Sequence, residues 1–284
     1  MPIKIITDTT SDVPYEKQKE LDIEILPLKV LFGEEEYTPN VNLTTAEFYE
    51  KLAQFEGLPK TQQISPAQFQ NIFQKHLDAG DEVIGLFISS SLSGTYFSAN
   101  IAREEIGSDK IHLVDTKQVT MGLGCAVYRA IDLRREGLSG KEIADRLEEE
   151  LPRIKLYAAV DCLTYLQKGG RLSNATAFVG GLLNIKPIIS VEDDGWVKNI
   201  GKARGMQKGY EQIKKILQTH EVDYTKPCVF GHTNAPQAGR ELEEYLKAEI
   251  PELKNAPCYF QDIGSVVGTH VGPGAAGIAV FYKE

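Results

Sequence analysis

Four groups of residues have types and spacings that suit chemistry. The first is Ser89-Ser90-Ser91-Leu92-Ser93-Gly94-Thr95, set between an apolar run and a helical pattern. Hydroxyls beside the free N–H groups of a helix start can hold an anion. The same residues also read as a helix cap made by Ser93. The second is Thr61-Gln62-Gln63-Ile64-Ser65-Pro66. Here Thr61 lies in a loop ahead of a capped helix, and taken alone it is a turn residue. The third is His270, standing among the glycines of the stretch Gly264 to Gly277. Its imidazole can donate to a carboxylate or relay a proton, and it equally suits a structural role in a tight loop. The fourth is Lys168-Gly169-Gly170-Arg171, with Lys202 and Arg204 further on. These read as solvated charge, or as contacts to an anionic head group or a docking partner.

A serine with a histidine invites a hydrolase reading based on Ser93 and His270. Ser93 lacks the flanking glycines of a nucleophile elbow, because Ser91 and Thr95 occupy those positions. Asp8, Asp12, Asp115 and Asp262 all stand as orienters for His270, so no triad is singled out. No Walker loop is present, which leaves nucleotide binding unsupported. The four cysteines, Cys125, Cys162, Cys228 and Cys258, form no C-x-x-C pair and have no histidine at metal-ligand spacing. They read as reduced, buried thiols, with no metal site and no cofactor implied.

The elements that must position these residues alternate between strand and helix patterns, the sign of an α/β fold. Strands are expected at Ile3 to Thr7, Ile25 to Phe32, Val83 to Ile88 and Ile111 to Val114. Pro14 opens a short helix, Thr44 or Thr45 caps another, and Ser65 with Pro66 starts a third. The Phe69, Ile72, Phe73, Leu77 spacing gives that third helix an apolar stripe. A helix from about Val119 to Arg135 follows, and Ser139 with Glu142 makes a capping box for the next. Successive strand–loop–helix units predict a mostly parallel sheet flanked by helices. Ligands of such sheets bind at the strands' carboxyl ends. Pro152 marks a lobe boundary, giving an N-terminal lobe over 1–155 and a C-terminal α/β lobe over 156–284. In the latter, Tyr157 to Val160 is strand-like and Ala175 to Leu183 an apolar helix. Pro187 to Ile200 is a hairpin, Cys228 to His232 a strand, and Arg204 to Leu217 and Ala235 to Ile250 are helical.

The 284 residues are 42% hydrophobic and 25% charged, enough apolar material for a sizeable core. The net charge of -9 argues against nucleic-acid binding, which rests on clustered Lys and Arg. No apolar run reaches the length of a membrane span, and the start shows no leader pattern. A soluble, cytoplasmic protein is the expectation.

Taken in order, these segments resemble the DegV family. The likeness rests on Thr7-Asp8-Thr9-Thr10-Ser11-Asp12-Val13-Pro14, the Thr61 loop, Ser90 to Tyr96 and Val114-Asp115-Thr116. It extends through Tyr165 to Arg171, Leu183 to Ile188 and Gly264 to Gly274, so it spans the chain. The resemblance implies two α/β lobes with a long-chain fatty acid such as palmitate, stearate or oleate between them. It implies a non-catalytic subunit that presents the bound carboxylate to a separate ATP-dependent fatty acid kinase, which converts it to an acyl phosphate. By position, Thr61, Ser93 and His270 match the residues that hold the head group, with Gly94 and Thr95 alongside. Arg171 and Arg204 match basic positions near the mouth, suited to a phosphate or a partner. Gln62 stands where the family commonly has Ser, so a second hydroxyl contact is not implied there. Burying about fifteen methylenes at about 0.8 kcal/mol each would let the tail supply affinity, while the polar cluster fixes the carboxylate. The alternatives are a serine esterase using Ser93 and His270, and a lipid sensor that works without a kinase.

Overall fold

The first strand, β1 (Ile3–Asp8), is apolar and ends in one 3-10 turn at Thr9–Ser11. Asp8 caps that turn, its carboxylate accepting from the Thr10 N–H at 2.8 Å. The computed structural model describes residues 2–173 and 184–283. After α1 (Gln18–Leu21) comes β2 (Ile23–Leu26). The run Ile25 to Phe32, expected as one strand, is split after Leu26. Pro27 has no N–H for a ladder, and the Leu28 N–H donates to Thr9 Oγ1 at 3.1 Å. The chain then forms β3 (Lys29–Phe32), turns at Gly33 and returns as β4 (Glu35–Tyr37). Next, α2 (Thr45–Gln54) opens with a capping box between Thr44 and Glu47. Thr61, expected in a loop, lies on β5 (Lys60–Gln62), which pairs with β3 and sets Thr61 opposite Val30. Then α3 (Pro66–Asp78) starts from a Ser65 cap with Pro66 in its first turn.

Two further strand–helix units follow: β6 (Glu82–Phe87) with α4 (Thr95–Ile106), and β7 (Ile111–Asp115) with α5 (Met121–Arg135). Next, α6 (Gly140–Glu150) carries the Ser139–Glu142 capping box. Beyond it come β8 (Ile154–Ala159), α7 (Thr164–Lys168), and the hairpin of β9 (Ile185–Val191) and β10 (Val197–Arg204). The apolar helix expected over Ala175 to Leu183 lies outside the described residues. Arg204, expected to open a helix, instead closes β10, and α8 (Met206–Gln218) begins after Gly205. The chain continues through β11 (Cys228–His232), α9 (Pro236–Glu249) and β12 (Cys258–Asp262). The glycine-rich stretch expected as a loop contains a helix, α10 (Ser265–Val271), before β13 (Ala276–Phe281). Burial of Val266, Val267 and Thr269 overrides the helix-breaking tendency of the surrounding glycines.

The strands among the described residues form three sheets. A parallel sheet has the order β2-β1-β6-β7, an antiparallel one β4-β3-β5, and a mixed one β10-β9-β8-β13-β11-β12. The helix α5 packs against β1 and β6 of the first and against β8, β11 and β13 of the last. Twelve of its fifteen residues are buried, as suits a helix with a sheet on each side. One apolar cluster therefore runs from Ile5 and Ile84 through Cys125 and Val127 to Val229 and Ala279. A buried ion pair holds α5 to α6. Arg129 Nε donates to Glu150 Oε2 at 2.7 Å, and Lys226 reaches the other Glu150 oxygen at 3.0 Å. Among the described residues, no helix is long and apolar enough to cross a membrane.

Gly277 of β13 marks how closely these layers approach. A Cβ there would stand 2.7 Å from both the Ala158 Cβ and the Tyr157 carbonyl oxygen, and 2.8 Å from Met121 Cε. Strand propensity alone favours Val at this position. The close contacts reverse the sign, so Gly277→Val should lower stability by about 2 kcal/mol or more. Urea unfolding measures this, and an unchanged or raised midpoint would contradict the packing argument.

Candidate ligand-binding site

In the parallel sheet the strand order reverses beside β1, because β2 lies on one side of it and β6 with β7 on the other. Loops leaving β1 and β6 therefore part at their carboxyl ends and leave a crevice. Asp8 ties the two loops at its base. Besides the Thr10 N–H, its carboxylate accepts from the Thr10 hydroxyl at 2.5 Å and from the Ile88 N–H at 2.9 Å. Burial raises the Asp8 pKa, and these three hydrogen bonds oppose the rise.

The helix α10 covers the crevice and is fastened at its start by two residues from the first half of the chain. Asp12 Oδ1 accepts from the Gly264 N–H at 2.8 Å, and the Tyr49 hydroxyl donates to the Ile263 carbonyl at 3.0 Å. Burial pushes Asp12 up to about 7, with the Gly264 N–H opposing. Held in this way, α10 aligns His270 with β5, where the imidazole Nε2 lies 3.0 Å from Thr61 Oγ1.

The result is a pocket of about 100 Å³ lined by Thr61, Ser93, Gly94, Arg171 and His270, with Gln63 and Thr10 beside them. Apolar side chains, among them Leu28, Ile88, Val119 and Leu166, make up the remaining wall. Ligand pockets for whole small molecules are usually about 300–1,000 Å³. This one matches a polar head with a short length of tail.

The polar groups are arranged as donors. Ser93 Oγ is 2.9 Å from Thr95 Oγ1 and accepts weakly from the Thr95 N–H at 3.3 Å. The cap position of α4 is Gly94, which makes no side-chain cap. Ser93 is thus a pocket hydroxyl more than a helix cap. Thr95 is fully buried behind it and does not line the pocket. A Cβ at Gly94 would run into the Gln63 amide, so a larger residue there requires the end of the Gln63 side chain to move. That amide is held by a bond from its Nε2 to Ser98 Oγ at 2.9 Å. Gln63 and Thr10 belong to motifs visible in the sequence, but only pairing across the crevice shows them to be lining residues.

Arg171 is the one permanent charge among the described lining residues. Its Nε donates to the Leu92 carbonyl at 3.2 Å and its Nη1 to the Gly169 carbonyl at 2.6 Å, so the guanidinium is fixed at the rim. Burial first, and the Arg171 cation second, push His270 down to about 4. The ring is therefore neutral at ordinary pH. Its Nδ1 is buried without a partner among the described residues. A proton on Nδ1 would leave an unpaired donor, at about 1–3 kcal/mol. With the proton on Nε2 the ring donates to Thr61 and frees the Thr61 hydroxyl proton for a ligand, while Nδ1 is left as an unpaired acceptor. Arg204 is placed elsewhere. It lines a separate surface depression with Lys202, Lys208 and Lys215.

A serine-hydrolase relay is not assembled among the described residues. Ser93 pairs with Thr95, His270 Nε2 with Thr61, and no carboxylate orients Nδ1. The four aspartates that could have done so are engaged elsewhere: Asp8 and Asp12 as above, Asp115 with the Ser90 N–H and Lys117, and Asp262 near His232.

Comparison with known proteins agrees with this architecture. Residues 2–283 match the family model described as uncharacterised protein, DegV family. A DegV domain-containing protein of Caldanaerobacter subterraneus is 36% identical over 283 residues, covering 99% of both chains. The solved structure of a DegV family protein from Thermus thermophilus, described as fatty acid binding, superposes with a TM-score of 0.87 at 29% identity, covering 100% of both chains. The crystal structure of DegV from Bacillus subtilis, described as a fatty acid binding protein, gives 0.84 at 30% identity over the same full coverage. With one family matched from end to end and a shared arrangement of sheets, this chain belongs to the DegV family.

Proposed function

We propose that the protein binds one long-chain fatty acid, with the carboxylate in the Thr61–Ser93–His270 pocket and the tail buried between the lobes 1–155 and 156–284. The observation that carries this reading is the convergence of hydroxyl donors and one fixed cation on a small, mostly apolar pocket. The fatty-acid-binding descriptions of the Thermus and Bacillus structures support it. A buried carboxylate loses several kcal/mol of hydration and needs compensating donors. Hydrogen bonds to a charged acceptor contribute about 1.5–3 kcal/mol each. Thr61, Ser93 and the Gly94 amide supply such bonds, and Arg171 supplies the opposite charge.

On this reading the chain is a non-catalytic carrier. It presents the carboxylate to a separate ATP-dependent kinase, which transfers a phosphoryl group to a carboxylate oxygen and releases ADP. Arg171 at the rim suits the charge that develops on the incoming phosphate. Arg204, on its own basic face, suits a contact with the partner.

Native mass spectrometry of the purified protein, followed by lipid extraction, should find one acyl chain per molecule. A protein that is empty and takes up no added fatty acid would overturn the proposal. Ser93→Ala and His270→Ala should each weaken fatty-acid binding about 10-fold with an unchanged circular dichroism spectrum. In the presence of the kinase, both should lower acyl-phosphate formation. Unaltered binding in both variants would remove the head-group assignment.

The neutral His270 sets a pH dependence. Its folded pKa of about 4 lies below the ordinary 6.5, so the unfolded chain binds the extra proton between those values. The stability linked to His270 is complete above pH 6.5 and falls as pH drops toward 4, by about 3 kcal/mol at most. A carboxylate beside the ring favours its protonated form, so bound fatty acid should flatten this fall. Thermal unfolding from pH 4 to 7, with and without lipid and in His270→Gln, measures the effect. Identical slopes in all three would show that His270 does not titrate as described.

A further inference from the structure

The four cysteines, spread along the sequence, are not spread in space. β11 and β12 run parallel, and their register sets Cys228 opposite Cys258. Register partners on neighbouring parallel strands carry their side chains on the same face, with backbones about 4.8 Å apart. That spacing lies within the range of about 4.4–6.8 Å between Cα atoms joined by a disulfide. The two sulfurs are close enough to interact, and each thiol also reaches a backbone carbonyl, Cys228 to Lys226 at 3.7 Å and Cys258 to Leu253 at 3.5 Å. Cys228 is fully buried, whereas Cys258 is half-buried on β12, the outermost strand of its sheet. An edge strand has one neighbour, so β12 can close a remaining gap without disturbing a second ladder.

The surroundings make the two sulfurs unequal. A hydrogen bond from Cys228 holds the Cys258 pKa below the ordinary thiol value, with Lys247 helping and burial opposing. Cys228 moves up, through the same bond and through burial. Of the two, Cys258 is therefore the readier to lose its proton. A partly exposed thiolate near a cation with a second thiol beside it is the arrangement of redox-sensing cysteines. Cys125, by contrast, is fully buried and burial raises its pKa. Cys162 is half-buried like Cys258.

We propose that Cys228 and Cys258 form a reversible redox pair that closes to a cross-strand disulfide when a hydroperoxide reaches Cys258. The Cys258 thiolate attacks the peroxide O–O bond, giving a sulfenic acid and releasing hydroxide, or an alkoxide from an organic peroxide. The Cys228 sulfur then attacks the sulfenic sulfur. The S–S bond forms, the S–O bond breaks and water leaves with the Cys228 proton. Two equivalents of a small thiol restore both cysteines and leave as their own disulfide. The link ties the start of β12 to the start of β11, at the end of the strand away from α10, the helix that carries His270.

The test is hydrogen peroxide titration of the purified full-length protein, with non-reducing peptide mapping. The expected product is one peptide pair joined through Cys228 and Cys258, with two of the four thiols lost and both recovered with dithiothreitol. Before oxidation, iodoacetamide should label Cys258 about 10-fold faster than Cys162, the half-buried control. In Cys228→Ser, dimedone should trap a sulfenic acid on Cys258, and in Cys258→Ser it should trap none on Cys228. Because Cys228 lies in the core, its variant can fail to fold, and the wild-type mapping stands without it. Over-oxidation of Cys258 with no crosslink, a crosslink between another pair, or equal labelling of Cys258 and Cys162 would each overturn the proposal.

Discussion

The burial of α5 between two sheets is the constraint on which the rest of the molecule depends. Its small and apolar residues, Gly122, Gly124, Cys125 and Ala126 among them, let β1 and β6 approach from one side and β8, β11 and β13 from the other. These two sheets thereby bury one face each against the same helix, and one apolar cluster spans both, with two further clusters beside it. The one strongly polar residue this burial encloses, Arg129, is met by Glu150, so no charge is left uncompensated. With the sheets fixed in this way, the loops at the ends of β1 and β6 and the helix α10 have only one place to meet.

That meeting place is held by polar contacts between distant parts of the chain. Asp12 and Tyr49 fasten the start of α10, Arg171 fastens the turn after α7 to the loop after β6, and Thr61 meets His270. The turn between β9 and β10 adds two more contacts, from the Ser89 hydroxyl to the Gly195 carbonyl at 3.0 Å and from the Ser91 hydroxyl to the Asp194 carbonyl at 2.6 Å. These bonds cross the crevice instead of lining one side of it. Their common effect is to position donors before a ligand arrives, which reduces the ordering cost of binding. The neutral state of His270 belongs to the same logic. A charged imidazole beside Arg171 in a poorly hydrated pocket would repel it, so the ring serves as a hydrogen-bonding group.

Much of the fold was legible because local rules acted without competition. The capping boxes at Thr44, Ser65 and Ser139 started helices where the sequence placed them. The strands β1, β6 and β7 followed from short apolar runs bounded by polar loops. Errors arose where a tertiary contact outweighed a local signal. Pro27 divided a β-prone run between two sheets, and Arg204 stayed in a strand because β10 pairs with β9 to its end. The glycines after Gly264 suggested a loop, yet packing of Val266 and Val267 made it a helix.

By itself, the sequence determined the alternating α/β pattern and the capped helix starts, because these depend on residue type and near-neighbour spacing, which the chain carries in one dimension. The likeness to one family added Thr61, Ser93, Gly94, Thr95, His270, Arg171 and Arg204 as candidates. Only the tertiary structure decided which of them meet, that Arg204 lies apart, that Gln63 and Thr10 join the pocket, and that Cys228 faces Cys258. The reason is physical. Strand order, register and the burial that shifts a pKa arise from pairing and desolvation between segments far apart in the chain, and no local propensity encodes them.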